Sequence, residues 1–160
     1  MLVVSNTSPI LNLAIVDQLS LLRQQFGRIQ IPSAVLDELK MDEERPGSQR
    51  IRIAITQGWI QVQSVSDVSL IRLLRQTLDK GESEAIALAL EIQAQWTILD
   101  EHDGRKIAKS LGLQVTGILG ILIRAKQTGE LSSLETIMDQ LIKEAGFRIA
   151  SDLLAKVLTV

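Results

Sequence analysis

Four residues stand where an apolar run stops or begins: Asn6 after Leu2 to Val4, Glu38 late in the segment that follows Pro32, Glu82 at the head of Glu82 to Gln93, and Asp100 after Trp96 to Leu99. Three of them are carboxylates. Carboxylates drawn together at one edge repel each other and resist ionisation unless a cation neutralises them. Such a set is the donor chemistry of a hard divalent ion, which prefers oxygen ligands. On a helical wheel Glu38 lies within a turn of Ala34 and Val35, at the margin of the inward stripe, while Asp37 points the other way. Glu82 shares a face with Ile86 and Ala89, whereas Glu84 lies nearer Leu88 and Glu91. Singly, each acid has a plain explanation: a solvated helix end for Glu38, dipole capping for Glu82 and above all Glu84, an Asx turn for Asp100. Jointly, their recurrence at one kind of junction points to a shared site.

The elements that must position them alternate. Leu2 to Val4 reads as a strand, with Ser8 as a helix N-cap candidate and Pro9 in the first helical turn. Arg28 to Ile31 is a second strand closed by Pro32, after which Ser33 caps a helix through about Met41. The polar stretch Asp42 to Gln49 carries Pro46-Gly47 and is the candidate mobile loop. Ile51 to Gln57 reads as helix, Trp59 to Gln63 as strand, Val65 to Leu78 as helix, and Gly81 precedes the apolar helix Glu82 to Gln93. Trp96 to Leu99 and Gln114 to Thr116 are further strands. Gly104 to Leu111, Gly117 to Lys126, Leu131 to Ala145 and Ser151 to Leu158 are helices. Strands alternating with helices predict an α/β fold, a three-layer α/β/α sandwich with a mainly parallel central sheet. In such sheets ligands bind beyond the carboxyl ends of the strands, where Asn6 and Asp100 stand.

Composition narrows the classes. A chain of 160 residues suits a single core. It contains no Cys, which removes disulfides, thiolate metal sites and cysteine nucleophiles. His102 is the single histidine: it has no plausible nucleophile partner for a Ser/His/Asp set, and without a second histidine there is no zinc-type constellation. Gly117-Ile118-Leu119-Gly120 lacks the spacing and lysine of a phosphate loop. A receiver-like signalling domain would need an Asp pair after the first strand, and none is there. No secretion signal is visible and no apolar run spans a bilayer, so a soluble, cytoplasmic protein is expected. The formal net charge of −2 gives no overall attraction for nucleic acid, so RNA binding would need a local basic patch or bridging cations. Arg105, Lys106 and Lys109, with Arg45, Arg50 and Arg52, are candidates for phosphate contact, solvated helix faces being their commoner role. Asp103 is a candidate supplement to the acidic cluster, its commoner role being to cap the helix opening at Gly104.

The order of motifs resembles that of PIN-domain ribonucleases. Val3-Val4-Ser5-Asn6-Thr7-Ser8-Pro9-Ile10 is similar to their opening strand and turn, and Ile31 to Leu39, with Glu38, to their second acidic motif. Gly81-Glu82-Ser83-Glu84-Ala85 is similar to the third, and Trp96-Thr97-Ile98-Leu99-Asp100-Glu101 to the fourth. The step from Glu82 to Asp100 suits that pattern, and one from Glu84 does not. Gly117 to Leu122 with Lys126 resembles a prokaryotic PIN-like subgroup related to toxins of toxin–antitoxin pairs. The resemblance covers residues 1–130, leaving 131–160 as C-terminal helices that pack on the same domain or on a partner, with a homodimer expected.

What the resemblance implies is metal-dependent hydrolysis of RNA phosphodiesters. Mg²⁺ or Mn²⁺ would be held by Asn6, Glu38, Glu82 and Asp100, supplemented by Asp103 or Glu84. Thr7 or Ser8 would hydrogen-bond a ligand or phosphate. RNA is the implied substrate and a small antitoxin protein a possible partner. One departure stands out: the family's first acidic position is Asn6, whose amide oxygen can coordinate but brings no charge. The alternative reading is therefore a catalytically impaired PIN-like domain with an RNA- or protein-binding regulatory role.

Overall fold

The computed structural model describes all 160 residues. Five strands form one parallel sheet: β1 (Val3–Ser5), β2 (Ile29–Pro32), β3 (Ile60–Gln63), β4 (Trp96–Ile98) and β5 (Val115–Thr116), in the order β3-β2-β1-β4-β5. Pairing is in register along each seam, with Ser5 opposite Ile98 and Ile98 opposite Thr116. The chain builds outward from β1 through β2 to β3, then returns across the sheet to lay down β4 and β5. The order therefore reverses between β1 and β4, and a crevice opens beyond their carboxyl ends.

Both faces of the sheet are covered, which is why its strands read as continuous apolar runs. Successive side chains of a strand point to opposite faces. Val3 and Ile98 enter the larger cluster with α1 (Thr7–Ile15), α2 (Ser20–Phe26), α4 (Ser48–Gln57), α8 (Ile118–Gln127) and α9 (Leu134–Glu144). Val4 and Leu99 face α6 (Lys80–Glu91), with α5 (Val68–Leu74) and α7 (His102–Ser110) beyond it. The α6 helix lies against three strands and against α3 (Ser33–Leu39), and its run of small residues, Ala85, Ala87 and Ala89, lets it sit close to the sheet. Leu88 on it is fully buried, so truncation to Ala would cost about 2–5 kcal/mol.

Leu134, Ile137, Met138 and Leu141 of α9 and Val157 of α10 (Ser151–Leu158) are buried in the large cluster, so residues 131–160 pack on the same body as the sheet. No helix is long and apolar enough to cross a membrane.

Several expected boundaries move. Helix α1 begins at Thr7 with Asn6 in the capping position, two residues earlier than a Ser8 cap would place it. Helix α3 begins at Ser33 itself, after Pro32. Gly81 lies inside α6 because Asp79 caps that helix, its Oδ1 accepting the Glu82 N–H at 2.8 Å. The expected mobile loop is tied down: Gly47 takes φ +84° and packs against Ala14, Ser48 is buried, and its Oγ accepts the Arg45 N–H. A Cβ on Gly47 would stand 2.8 Å from that of Ala14, so close approach, and not freedom to move, explains this glycine.

Candidate active site

Asn6 and Asp100 stand at the carboxyl ends of β1 and β4, and Glu38 and Glu82 lie on α3 and α6. Asn6 leaves β1 with its backbone N–H bonded to the Ile98 carbonyl of β4 at 3.0 Å, which fixes it beside the strand that delivers Asp100. Asp100 Oδ1 accepts the first N–H of α8, from Ile118, at 2.9 Å. The helix terminus thereby orients this carboxylate and favours its charge. On the other side of β1, Thr7 Oγ1 donates to Glu38 Oε1 at 2.7 Å, joining the start of α1 to the end of α3. Glu82 sits in the first turn of α6 and is buried.

Three glycines make room for the three carboxylates. A Cβ on Gly81 would come within 2.3–2.7 Å of the Glu38 carboxylate. One on Gly104, in α7, would meet Glu82 Oε2 at 2.6 Å, and one on Gly117 would meet Asp100 Oδ1 at 2.6 Å. Glu38 therefore lies against the residue preceding Glu82, and Glu82 lies against the helix that follows Asp100.

The electrostatics of this pocket are unbalanced. Burial pushes the Glu82 carboxyl from 4.5 up to about 7, with the negative charges of Asp79 and Glu101 adding to the shift. Asp100 is raised from 3.8 to about 6, again by burial first, with Glu101 contributing and the Ile118 N–H and Arg105 opposing. None of Glu38, Glu82 and Asp100 forms an ion pair with a lysine or arginine; the pairs that exist involve Asp17, Glu43, Glu44, Asp103 and Asp139. Buried polar atoms normally find a partner. Here Asn6 Oδ1, Ser8 Oγ, Glu82 Oε2 and Asp100 Oδ2 have none.

These orphaned oxygens test the fit of a divalent ion. Every donor is a hard oxygen, which suits Mg²⁺ or Mn²⁺ and does not suit a nitrogen- and sulfur-seeking zinc site. The convergence stops short of a complete cage, since no three acidic or histidine side chains are arranged to hold a metal by themselves. The donors fit an ion that keeps several of its waters, as magnesium does. Asn6, Glu82 and Asp100 would hold it, with Glu38 at the border of the site.

Other expected participants go elsewhere. Glu84 Oε1 accepts the Ala34 N–H at 3.1 Å, so this acid caps α3 and turns away from the crevice. Asp103 is exposed, beside His102, and Glu101 holds the capping position of α7. Arg45, Arg50 and Arg52 pair with Glu43, Asp17 and Glu44 around the loop that docks on the far end of α1. Arg105 stays at the site, donating to the Leu99 carbonyl at 2.8 Å.

Two participants escape the sequence reading. Asp79 is one: Asp79-Lys80-Gly81-Glu82 has the spacing of a capping box, which would have revealed both the helix start and the neighbour of Glu82. The other is the C-terminal segment. A cleft of about 770 Å³ runs from Ser8, Asp100 and Arg105 to Phe147, Arg148 and Leu153, and no local pattern announces that residues so distant in sequence form its wall.

A protein-family model described as PIN domain matches residues 2–160. Among solved structures, the chain is similar to a PilT N-terminus domain protein from the hyperthermophilic archaeon Sulfolobus solfataricus. The two share 21% identity and a TM-score of 0.53, over 78% of this chain and 93% of that one. That likeness concerns the fold. The comparison with curated proteins found no match.

Proposed function

The chain belongs to the PIN-domain family, and from that membership we propose that it is a metal-dependent ribonuclease acting at the β1/β4 crevice. The observation that carries the reading is the set of buried oxygens without partners, Asn6 Oδ1, Glu82 Oε2 and Asp100 Oδ2, beside carboxylates that form no ion pair with a lysine or arginine. Leaving such groups unpaired costs free energy that a bound cation would recover.

When bound, Mg²⁺ or Mn²⁺ supplies an attacking water of lowered pKa and offsets charge developing at a phosphate. The protein's own part is positional. The Ile118 N–H holds Asp100 by one oxygen and leaves the other free. Thr7 fixes Glu38, and Asp79 fixes the helix turn that carries Glu82.

Purified protein is expected to bind Mn²⁺ by calorimetry and to cut single-stranded RNA. Asp100→Asn and Glu82→Gln should each abolish cleavage while the fold persists. Absence of both binding and cleavage would remove the enzyme reading. A second reading, an impaired domain that binds RNA or protein, is favoured by two features: the first acidic position holds the amide of Asn6, and no complete metal cage forms. Control by a small antitoxin, and pairing into a homodimer through the exposed Leu153, Leu158 and Val160, extend the proposal and are open to co-purification and sedimentation.

A further inference from the structure

The wall of the carboxylate cleft contributed by the end of the chain carries a cation that nothing in the protein uses. Helix α9 ends at Glu144, Gly146 takes φ +70°, and the Phe147 N–H bonds to the Leu141 carbonyl at 3.0 Å, which turns the backbone sharply out of the helix. From Gly146 to Ala150 the chain is irregular and its burial alternates. Phe147 and Ile149 pack against the large core cluster, while Arg148 between them is exposed. This alternation anchors the backbone on both sides of Arg148 and leaves its side chain outside the core. Arg148 joins no ion pair, yet it lines the same cleft as Asp100 and Arg105.

We propose that Arg148 is a phosphate-positioning residue: held at the rim by Phe147 and Ile149, it binds a backbone phosphate of single-stranded RNA lying in the cleft, with Arg105 on the Asp100 side. The inference rests on the ribonuclease reading of this cleft. A net charge of −2 and a pocket of buried carboxylates repel RNA, so local cations must hold the strand. Guanidinium suits the task because its planar fork matches two phosphate oxygens. Arg105 already spends one N–H on the Leu99 carbonyl. Arg148 has all five N–H donors available.

The test measures binding apart from cleavage. A short fluorescein-labelled single-stranded oligoribonucleotide is titrated in EDTA with full-length Glu82→Gln protein, which lacks cleavage and one repelling charge, across a series of NaCl concentrations. Adding Arg148→Ala is expected to weaken binding about tenfold, the size of one charge-assisted contact. It should also flatten the dependence of log K on log salt by about 0.7, the effect of one lost phosphate contact on a single strand. Arg148→Lys should keep the slope. In the otherwise native chain with Mn²⁺, Arg148→Ala should raise KM and leave kcat unchanged. Equal affinity and slope with and without Arg148, or no RNA binding at all, overturns the proposal. RNA that is bound through Arg148 but never cut removes the nuclease reading alone, and RNA cut with an unchanged KM removes this one alone.

Discussion

Replacing Gly104 by alanine should separate the site from the fold. Gly104 lies in the first turn of α7, where nothing but the end of the Glu82 side chain approaches the space a Cβ would fill, with Oε2 at 2.6 Å and the carboxyl carbon at 3.6 Å. Alanine gains about 0.5–1 kcal/mol over glycine within a helix. Displacing the Glu82 carboxylate until it clears the new methyl forces that side chain off its resting rotamer, at about 0.5–1.5 kcal/mol. The two terms nearly cancel, so stability should stay within about 1 kcal/mol of the parent. In a chain of this length that is about 2–4 °C in Tm. The metal site has no such compensation. Moving a ligand away from the position its surroundings impose commonly lowers metal affinity about 10–100-fold. Calorimetric titration with Mn²⁺ at pH 8, alongside thermal unfolding in EDTA, reads both quantities. Unchanged Mn²⁺ affinity in a folded Gly104→Ala protein would refute the reasoning, because the space before Gly104 would then not be a ligand position.

The pH dependence of the metal-free protein offers an independent check. Between about pH 4 and 7 the folded state keeps protons on Glu82 and Asp100 that the unfolded chain has released, so in EDTA their contribution to stability falls as pH rises through this window. At about 1.36 kcal/mol per pK step, the Asp100 shift alone is on the order of 3 kcal/mol, and Glu82 adds in the same direction, so urea midpoints should be lower at pH 8 than at pH 5. Glu82→Gln should remove the Glu82 part of that slope, and an identical slope in the variant would contradict the assignment. Asn6→Asp should tighten Mn²⁺ binding and raise cleavage, since it adds a charge where a buried amide oxygen now has no partner; loss of metal affinity would place Asn6 outside the site. Asp79→Ala should cost about 1 kcal/mol through the lost helix cap and draw the Glu82 pKa downward, which carboxyl NMR titration can follow.

Local chemistry was legible where the determinant lies within a few residues. Alternating apolar strands and helices predict the parallel α/β sheet, and helical periodicity separates the half-buried Glu38 from the exposed Asp37 and the buried Glu82 from the half-buried Glu84. Boundaries failed where a cap was misassigned. Asn6, and not Ser8, occupies the capping position of α1, and Asp79 draws the start of α6 back past Gly81, which looked like its edge. Glu84 could not be placed by periodicity alone, because its partner, the Ala34 N–H, belongs to another helix.

By itself, then, the sequence determined which oxygens are on offer and on which strand ends and helix faces they ride, since side-chain type and the two backbone periods are properties of short segments. Tertiary structure alone decided which of those oxygens remain unsatisfied. The strand order sets Asn6 beside Asp100, glycines at 81, 104 and 117 open the space before each acid, and the turn at Gly146 brings Arg148 to the cleft. Desolvation and orphaned polar atoms arise only when segments far apart in the chain exclude water from one place, and that information is held by no single stretch of residues.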